Sequence, residues 1–412
     1  MKAERLFTRN FTFLILGQIS SLLGNYTLKF ALSMYILEQT GSASVFAAML
    51  AVAMLPTILL SPFGGILADR ANRRWIMVGL DSLSGLTVLT AGLLLPFGSD
   101  LLVIGALLVV LSVLAAFESP TVQACIPQIL SEDNLMRGNA AVNQAQAITS
   151  LVTPFLGSII YAAFGLMPIL WGAVACFFLT SFLECFIHLE FQKQEDSADL
   201  ITIIKEDFSA SVHFLRREQP AILKLLLLAA MASLFVAGTV VVGFPYLVRT
   251  VLGLSAEHYG AAESAMGVAA VLGSLFVGVM GQRLRVRWLA FAFLGLGLCL
   301  IPAGFAFVVP LEAFGVYLVL MAMFCISQFG CSLVSTCAIS IIQARTPERL
   351  MGKVMACVFT LSMCAQPAGQ MIYGVLFDWF AQSPQWVLLP SGLLVCGIGL
   401  ASVPFFRHLE QD

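Results

Sequence analysis

Charge is scarce in this sequence of 412 residues: Asp, Glu, Lys and Arg together make up 11% of it. Soluble domains carry about 25% charged residues, so an ordinary water-soluble fold is excluded. Only four histidines are present, His188, His213, His258 and His408, all at the ends of apolar runs or in polar stretches. No nucleophile–base pair or metal cluster converges on them, so the chain is not expected to be an enzyme. The 10 cysteines show no Cys-x-x-Cys or His-paired spacing. Cys325, Cys331 and Cys337 recur along one run, the wrong geometry for a metal site. Cysteine here reads as a small buried hydrophobe. No Gly-x-x-x-x-Gly-Lys-[Ser/Thr] loop occurs, so the chain does not hydrolyse ATP itself. Arginine is missing from the middle of every apolar run, which denies a phosphate or dicarboxylate its bidentate clamp.

Apolar residues take the place of charge. They make up 59% of the chain, with a mean hydropathy of +0.95. A helix needs roughly 20 apolar residues to cross a bilayer, and twelve such runs are predicted, over 11–37, 44–68, 75–97, 101–126, 139–163, 167–189, 221–248, 258–280, 287–309, 312–341, 352–377 and 385–406. The runs are continuous rather than alternating, which favours helices over a β-barrel. The opening MKAERLFTRN leads straight into the first run and is read as part of a retained helix, not a signal peptide. With the N-terminus inside, every Lys and Arg falls at the cytoplasmic face except Lys29 and Arg249, while the opposite loops carry Glu38, Asp100, Glu257, Glu312 and Asp378. Cationic loops resist translocation, so the bias predicts a multi-pass protein of the cell membrane with both termini cytoplasmic.

The polar stretch from Gln192 to Pro220 divides the chain. Within it Leu200, Ile203, Ile204, Phe208, Val212 and Leu215 recur at helical spacing, as on an amphipathic helix lying on the membrane surface. The expected organisation is a six-helix bundle over 1–190, a cytoplasmic linker over 191–220 and a second bundle over 221–412. The halves repeat: Gly65 matches Gly278, Arg74-Trp75 matches Arg287-Trp288, Gln128 matches Gln343 and Pro154 matches Pro367. A repeat over an even number of spans gives two copies in the same orientation.

The most charged turn, GGILADRANRR from Gly64 to Arg74, lies between the second and third runs. Its spacing Gly65-x-x-x-Asp69-Arg70-x-x-Arg73-Arg74, with twelve spans and a central linker, resembles the major facilitator superfamily. The opening LGQISSLLGNYTL, the turn EQTGSAS and the loop from Pro127 to Asn139 are similar to the branch of macrolide-efflux and enterobactin-exporter proteins. The resemblance covers essentially the whole chain. It implies that Asp69 faces the start of the eleventh span, near Met351 and Gly352, and helps to close the cytoplasmic side. Asn72 stands where the family usually has Gly, and is tolerated because Asn accepts positive φ. A span's C-terminal end repels a carboxylate, so Asp69 needs a cationic or dipolar partner. The alternative is that Arg73 and Arg74 merely enforce topology.

Ionisable groups inside the membrane are functional candidates by default. Glu118, Glu263 and Asp81 are the proton-coupling candidates, with Glu118 first because it lies far from both ends of its span. A carboxylate satisfied by a neighbouring polar group is the alternative. Lys29 and Glu118 are separated by roughly 15 Å of depth at ~1.5 Å per residue, so they are not expected to pair directly. Lys29 and Glu263 share a depth and could form an outer gate, unless Lys29 snorkels outward. Asn25, Lys29, Asn143, Gln146, Gln328 and Gln366 are the cavity or gate candidates. Asn139, Asn143, Gln146, Ser150 and Thr153 form one helical stripe, which Ser362, Gln366, Gln370 and Tyr373 answer in the eleventh span. Either stripe could line a cavity or glue helices together. The 32 phenylalanines and 16 methionines fit an apolar, adaptable cavity.

The expectation is an all-α protein of twelve transmembrane helices in two bundles, a secondary active transporter of the major facilitator fold. The favoured activity is proton-coupled export of amphipathic or hydrophobic small molecules. A siderophore or metabolite exporter, a lysolipid flippase and a transport-inactive sensor or scaffold are the alternatives. The expected partners are a small-molecule substrate, protons and the lipid bilayer. No cofactor, metal or nucleic acid is expected, and the chain is expected to be a monomer.

Overall fold

The computed structural model describes residues 6–98, 100–189, 217, 219–280 and 288–411. Among them are twelve long helices: α1 (Arg9–Thr40), α2 (Ala43–Arg70), α3 (Arg73–Leu94), α4 (Asp100–Ile129), α5 (Glu132–Phe164), α6 (Leu166–Glu184), α7 (Pro220–Val251), α8 (Ala256–Met280), α9 (Trp288–Phe305), α10 (Ala313–Arg345), α11 (Glu348–Trp379) and α12 (Gln385–Gln411). Ten of these are long and apolar enough to cross a membrane. The other two, α1 and α11, have the length, but amides and hydroxyls interrupt their apolar sequence. The chain is an all-α, multi-spanning membrane protein. Without water in the hydrocarbon layer, each backbone N–H and C=O must be paired within its own segment, and a helix does this. Large apolar side chains such as Phe97, Leu102 and Val279 stay exposed because lipid covers them.

Tight turns separate the odd-numbered helices from their successors. Gly41, Gly98, Gly165 and Gly253 stand at positive φ between α1 and α2, α3 and α4, α5 and α6, and α7 and α8. At Gly165 a single residue ends one helix and starts the next, which needs a φ of 74° that a side chain would resist. Helix α5 begins at Glu132, well before the predicted start at Asn139, because Leu135, Met136 and Arg137 are good helix formers beyond the apolar run. Helix α7 contains widened π-type turns over Ala237–Gly243 and Leu247–Val251. The amphipathic helix expected within 191–216 lies outside the described residues, as do Arg283, Arg285 and Arg287.

The chain forms two compact units. The first comprises Met1–Gln39, Val52–Asp196 and Ala256–Ser264, and the second Thr40–Ala51, Ser197–Ser255 and Ala265–Asp412. The start of α2 therefore groups with the second unit and the start of α8 with the first. These two segments are repeat mates: the offset of 213 that takes Gly65 to Gly278 also takes Ala43 to Ala256. Close packing holds each in place. Within the second unit, a Cβ on Gly374 of α11 would stand 2.6 Å from Ala47 Cβ. Within the first, a Cβ on Gly260 of α8 would stand 2.3 Å from Ser158 Cβ of α5. Phe30 of α1 also stacks on Tyr259, with ring centroids 5.5 Å apart.

Candidate functional site

The first unit carries an open cavity of about 530 Å³ lined from α1, α4 and α5. Apolar packing fixes its walls: Phe11 and Leu14 of α1, Met77 of α3, and Val122, Cys125 and Ile126 of α4 form one buried cluster. Helix α1 is knitted to α6 by Ser20 Oγ, which donates to Cys176 O at 2.9 Å, and by Thr180 Oγ1, which donates to Gly17 O at 3.0 Å. These contacts hold Ser21 and Asn25 against the cavity.

The lining is polar. Gln18, Asn25, Gln123, Asn139, Asn143 and Gln146 line the cavity together with Glu118. No phenylalanine or methionine lines it. Phenylalanines and methionines instead pack between helices or face the surface, as Phe11, Phe177 and Met77 in the core and Phe97, Phe155 and Met136 outside do. In the second unit, Phe235, Phe293 and Met231 border an apolar slot of only about 20 Å³.

Of the predicted site residues, the cavity brings together Asn25, Glu118, Asn143 and Gln146. Asn25 Oδ1 is buried without a hydrogen-bond partner, an acceptor left for a donor in the cavity. Gln328 and Gln366 belong to the second unit. Gln328 Oε1 is likewise buried and unpartnered. Of the α5 stripe, Asn139, Asn143 and Gln146 face the cavity, whereas Thr153 is fully buried. In α11, Tyr373 OH donates to Ser391 Oγ of α12 at 2.7 Å, a contact between helices.

Asp81 of α3 is fully buried behind the cavity wall. Ser21 Oγ lies 3.1 Å from Asp81 Oδ1 and 3.3 Å from Glu118 Oε1. A hydroxyl has one hydrogen to donate, so it can serve both carboxyls only when one of them carries a proton. On its other side Asp81 neighbours Glu184 of α6, whose helix is tied to α3 by Ser181 Oγ donating to Val78 O at 3.1 Å. The sequence reading missed Glu184, although it lies inside the run 167–189 and is followed by Cys185, Phe186 and Ile187. An acid within an apolar run was the signal.

Lys29 acts electrostatically on Glu118. This is an attraction through space and not a direct pair, consistent with roughly 15 Å of separation in depth at ~1.5 Å per residue. Glu263 instead hydrogen-bonds to Tyr259, one turn earlier on α8.

The charged turn is built around its arginines. Arg73 donates from Nε to Ala68 O and from Nη1 to Ala124 O, both at 2.8 Å, tying the end of α2 to α4. Arg74 donates to Cys185 O and lies over the Trp75 ring at 4.9 Å. Arg70 is exposed at the last residue of α2, and the Asp69 side chain lies outside the described residues. Asn72 has a φ of −67° and accepts a hydrogen bond from Arg74 N as the N-cap of α3. Its place is therefore explained by capping, not by the tolerance of positive φ expected from sequence. Gly65 has open space where a Cβ would point, whereas a Cβ on Gly64 would stand 2.4 Å from Ala116 O. Gly64 is the residue that lets α2 approach α4.

Among the described residues no cluster of His, Cys, Asp and Glu could hold a metal ion. All 10 cysteines are free thiols.

The sequence is 23% identical over 389 residues to macrolide efflux protein A of Streptococcus pyogenes, covering 92% of each chain. The fold is similar to that of a nucleoside transporter, with a TM-score of 0.75, 12% identity and coverage of 98% of this chain and 100% of the other. A bacterial homologue of the iron transporter ferroportin gives a TM-score of 0.74 at 19% identity, covering 98% and 99%. The sequence model of the Major Facilitator Superfamily matches residues 14–370. With twelve helices, two compact units and a polar cavity in one of them, this chain belongs to the Major Facilitator Superfamily and is a secondary active transporter of that type.

Proposed function

We propose that the chain is a proton-coupled exporter of amphipathic small molecules, with Glu118 as the coupling carboxyl. One observation carries this reading: a single acid and six amide residues line the same 530 Å³ cavity. The amides suit a substrate rich in hydroxyl and carbonyl groups, and the carboxylate suits one bearing a basic amine. Protonation of Glu118 removes the charge that holds such a cation, so proton binding and substrate binding exclude one another. One charge moving through 100 mV supplies about 2.3 kcal/mol. The similarity to a protein named for macrolide efflux supports export and this substrate class. The arginines of the Gly64–Arg74 turn support a cytoplasmic position for that end of the bundle, because cationic loops resist translocation.

The test is transport by proteoliposomes under an imposed pH gradient, with a panel of hydrophobic cations, macrolides and catecholate siderophores. At least one amphipathic amine or macrolide is expected to move against its gradient. Glu118→Gln should abolish that movement and leave binding measurable. Transport by this variant at the normal rate overturns the assignment of Glu118. Movement of siderophores alone overturns the substrate class.

A further inference from the structure

Behind the cavity, Asp81 and Glu184 are 0% and 1% exposed, on neighbouring helices that Ser181 Oγ joins by donating to Val78 O at 3.1 Å, and each carboxyl acts on the other. Two ionised carboxylates cannot hydrogen-bond, because neither has a donor. Asp81 Oδ2 and Glu184 Oε2 receive no N–H or O–H from any described group. A buried acceptor without a donor is costly, and two facing carboxylates more so. One proton held between them resolves both problems.

The pair also has a connection to the cavity. Ser21 Oγ reaches Asp81 Oδ1 at 3.1 Å and Glu118 Oε1 at 3.3 Å. At the other end, Glu184 closes α6, and the carbonyl of the next residue, Cys185, accepts from Arg74 of the charged turn. The groups facing the pair are Ser21 from α1, Glu118 from α4 and, beyond the Cys125 thiol, the Arg73 guanidinium. Lys29 acts on Glu118 from the cavity side.

We propose that Asp81 and Glu184 share one proton, and that Ser21 passes it to and from Glu118, so that the pair holds the coupling proton behind the cavity. The proposal rests on the reading of Glu118 as the coupling carboxyl. In the transfer, protonated Glu118 gives its hydrogen to Ser21 Oγ while Ser21 gives its own to Asp81 Oδ1. One proton moves, Glu118 is left ionised and the serine is unchanged. The reverse transfer returns the proton to the cavity. Loading and unloading of the pair then need no water in the substrate's path.

Infrared spectroscopy of the full chain reconstituted in lipid tests this without a substrate. The wild type should show a protonated-carboxyl stretch at neutral pH that is lost in Asp81→Asn and in Glu184→Gln alike, and kept in Glu118→Gln. The rate at which that band shifts in heavy water should fall about tenfold or more in Ser21→Ala, as when a proton-transfer partner is removed. Ser21→Thr, which keeps the hydroxyl, should restore it. A band that survives Glu184→Gln, or exchange that is indifferent to Ser21→Ala, overturns the proposal. Neither result touches the transport assay of Glu118→Gln, and normal transport by that variant would leave the infrared band in place, so the two failures are distinguishable.

Discussion

Gly374 of α11 lies against Ala47 of α2 so closely that a Cβ on the glycine would also stand 2.9 Å from Ala43 O and 3.1 Å from Ser44 Cα. Two of these three contacts are backbone atoms, which cannot turn aside. Gly374→Val should therefore push the start of α2 off the second unit, at a cost of about 1–3 kcal/mol as for other overpacked sites. A lower melting temperature in detergent would be the expected reading. An unchanged one would show that this junction has slack.

Asp378, at the end of α11 beyond its apolar run, clamps the same segment. It accepts from Ser42 Oγ and Ala43 N at 2.7 Å, from Ser44 N at 3.0 Å and from Ser44 Oγ at 2.5 Å. Burial alone would push this carboxyl up, but the hydrogen bonds from Ser42, Ser44 and the backbone outweigh it and hold it below the ordinary carboxylate value. A depressed value means the clamp is fully made above the usual carboxylate range and lost as pH falls through the value in the folded protein. Amide exchange at Ala43 and Ser44, corrected for its intrinsic rate, should be slow at neutral pH and accelerate on acidification. In Asp378→Asn it should be fast at both and insensitive to acid over that range.

The twelve helices were legible because each apolar run is long and the arginines return at every second turn. Pairing between distant helices was not. The grouping of 40–51 and 256–264 depends on Gly374 meeting Ala47 and Gly260 meeting Ser158, and small residues leave no pattern in an apolar run. Glu118, Asn143 and Gln146 stood out as polar residues in apolar surroundings, and all three line the cavity. Glu184 was passed over because it sits near the end of its run, where a carboxylate is usually wet. Its burial comes from Asp81 and Gly17 on neighbouring helices, which sequence spacing along α6 cannot reveal.

Asn72 gives a test of capping against backbone conformation. Its side chain accepts from Arg74 N at 3.1 Å, and its φ of −67° is open to any residue. Asn72→Ala should destabilise the protein by about 1 kcal/mol, Asn72→Gly by only a few tenths, and Asn72→Asp hardly at all. Chemical or thermal unfolding of the three variants would check the order. If glycine proved better than asparagine, a positive φ in another state of the transporter would be needed to explain it.

Arg73 separates a structural from a purely topological role for the charged turn. Its guanidinium bridges Ala68 O of α2 and Ala124 O of α4, both at 2.8 Å, from two different nitrogens. Lysine keeps the positive charge, and with it the orientation of the helices, but its single ammonium lacks the planar fork that spans both carbonyls. Arg73→Lys should therefore insert normally yet lose stability by about 1–3 kcal/mol, the worth of charged hydrogen bonds to buried carbonyls. Transport should fall with it, because α2 and α4 carry the turn and the Glu118 wall of the cavity respectively. Thermal unfolding beside an uptake assay measures both effects. If Arg73→Lys matched the wild type in each while Arg73→Ala inverted the topology, retention of charge would be the whole role of this residue.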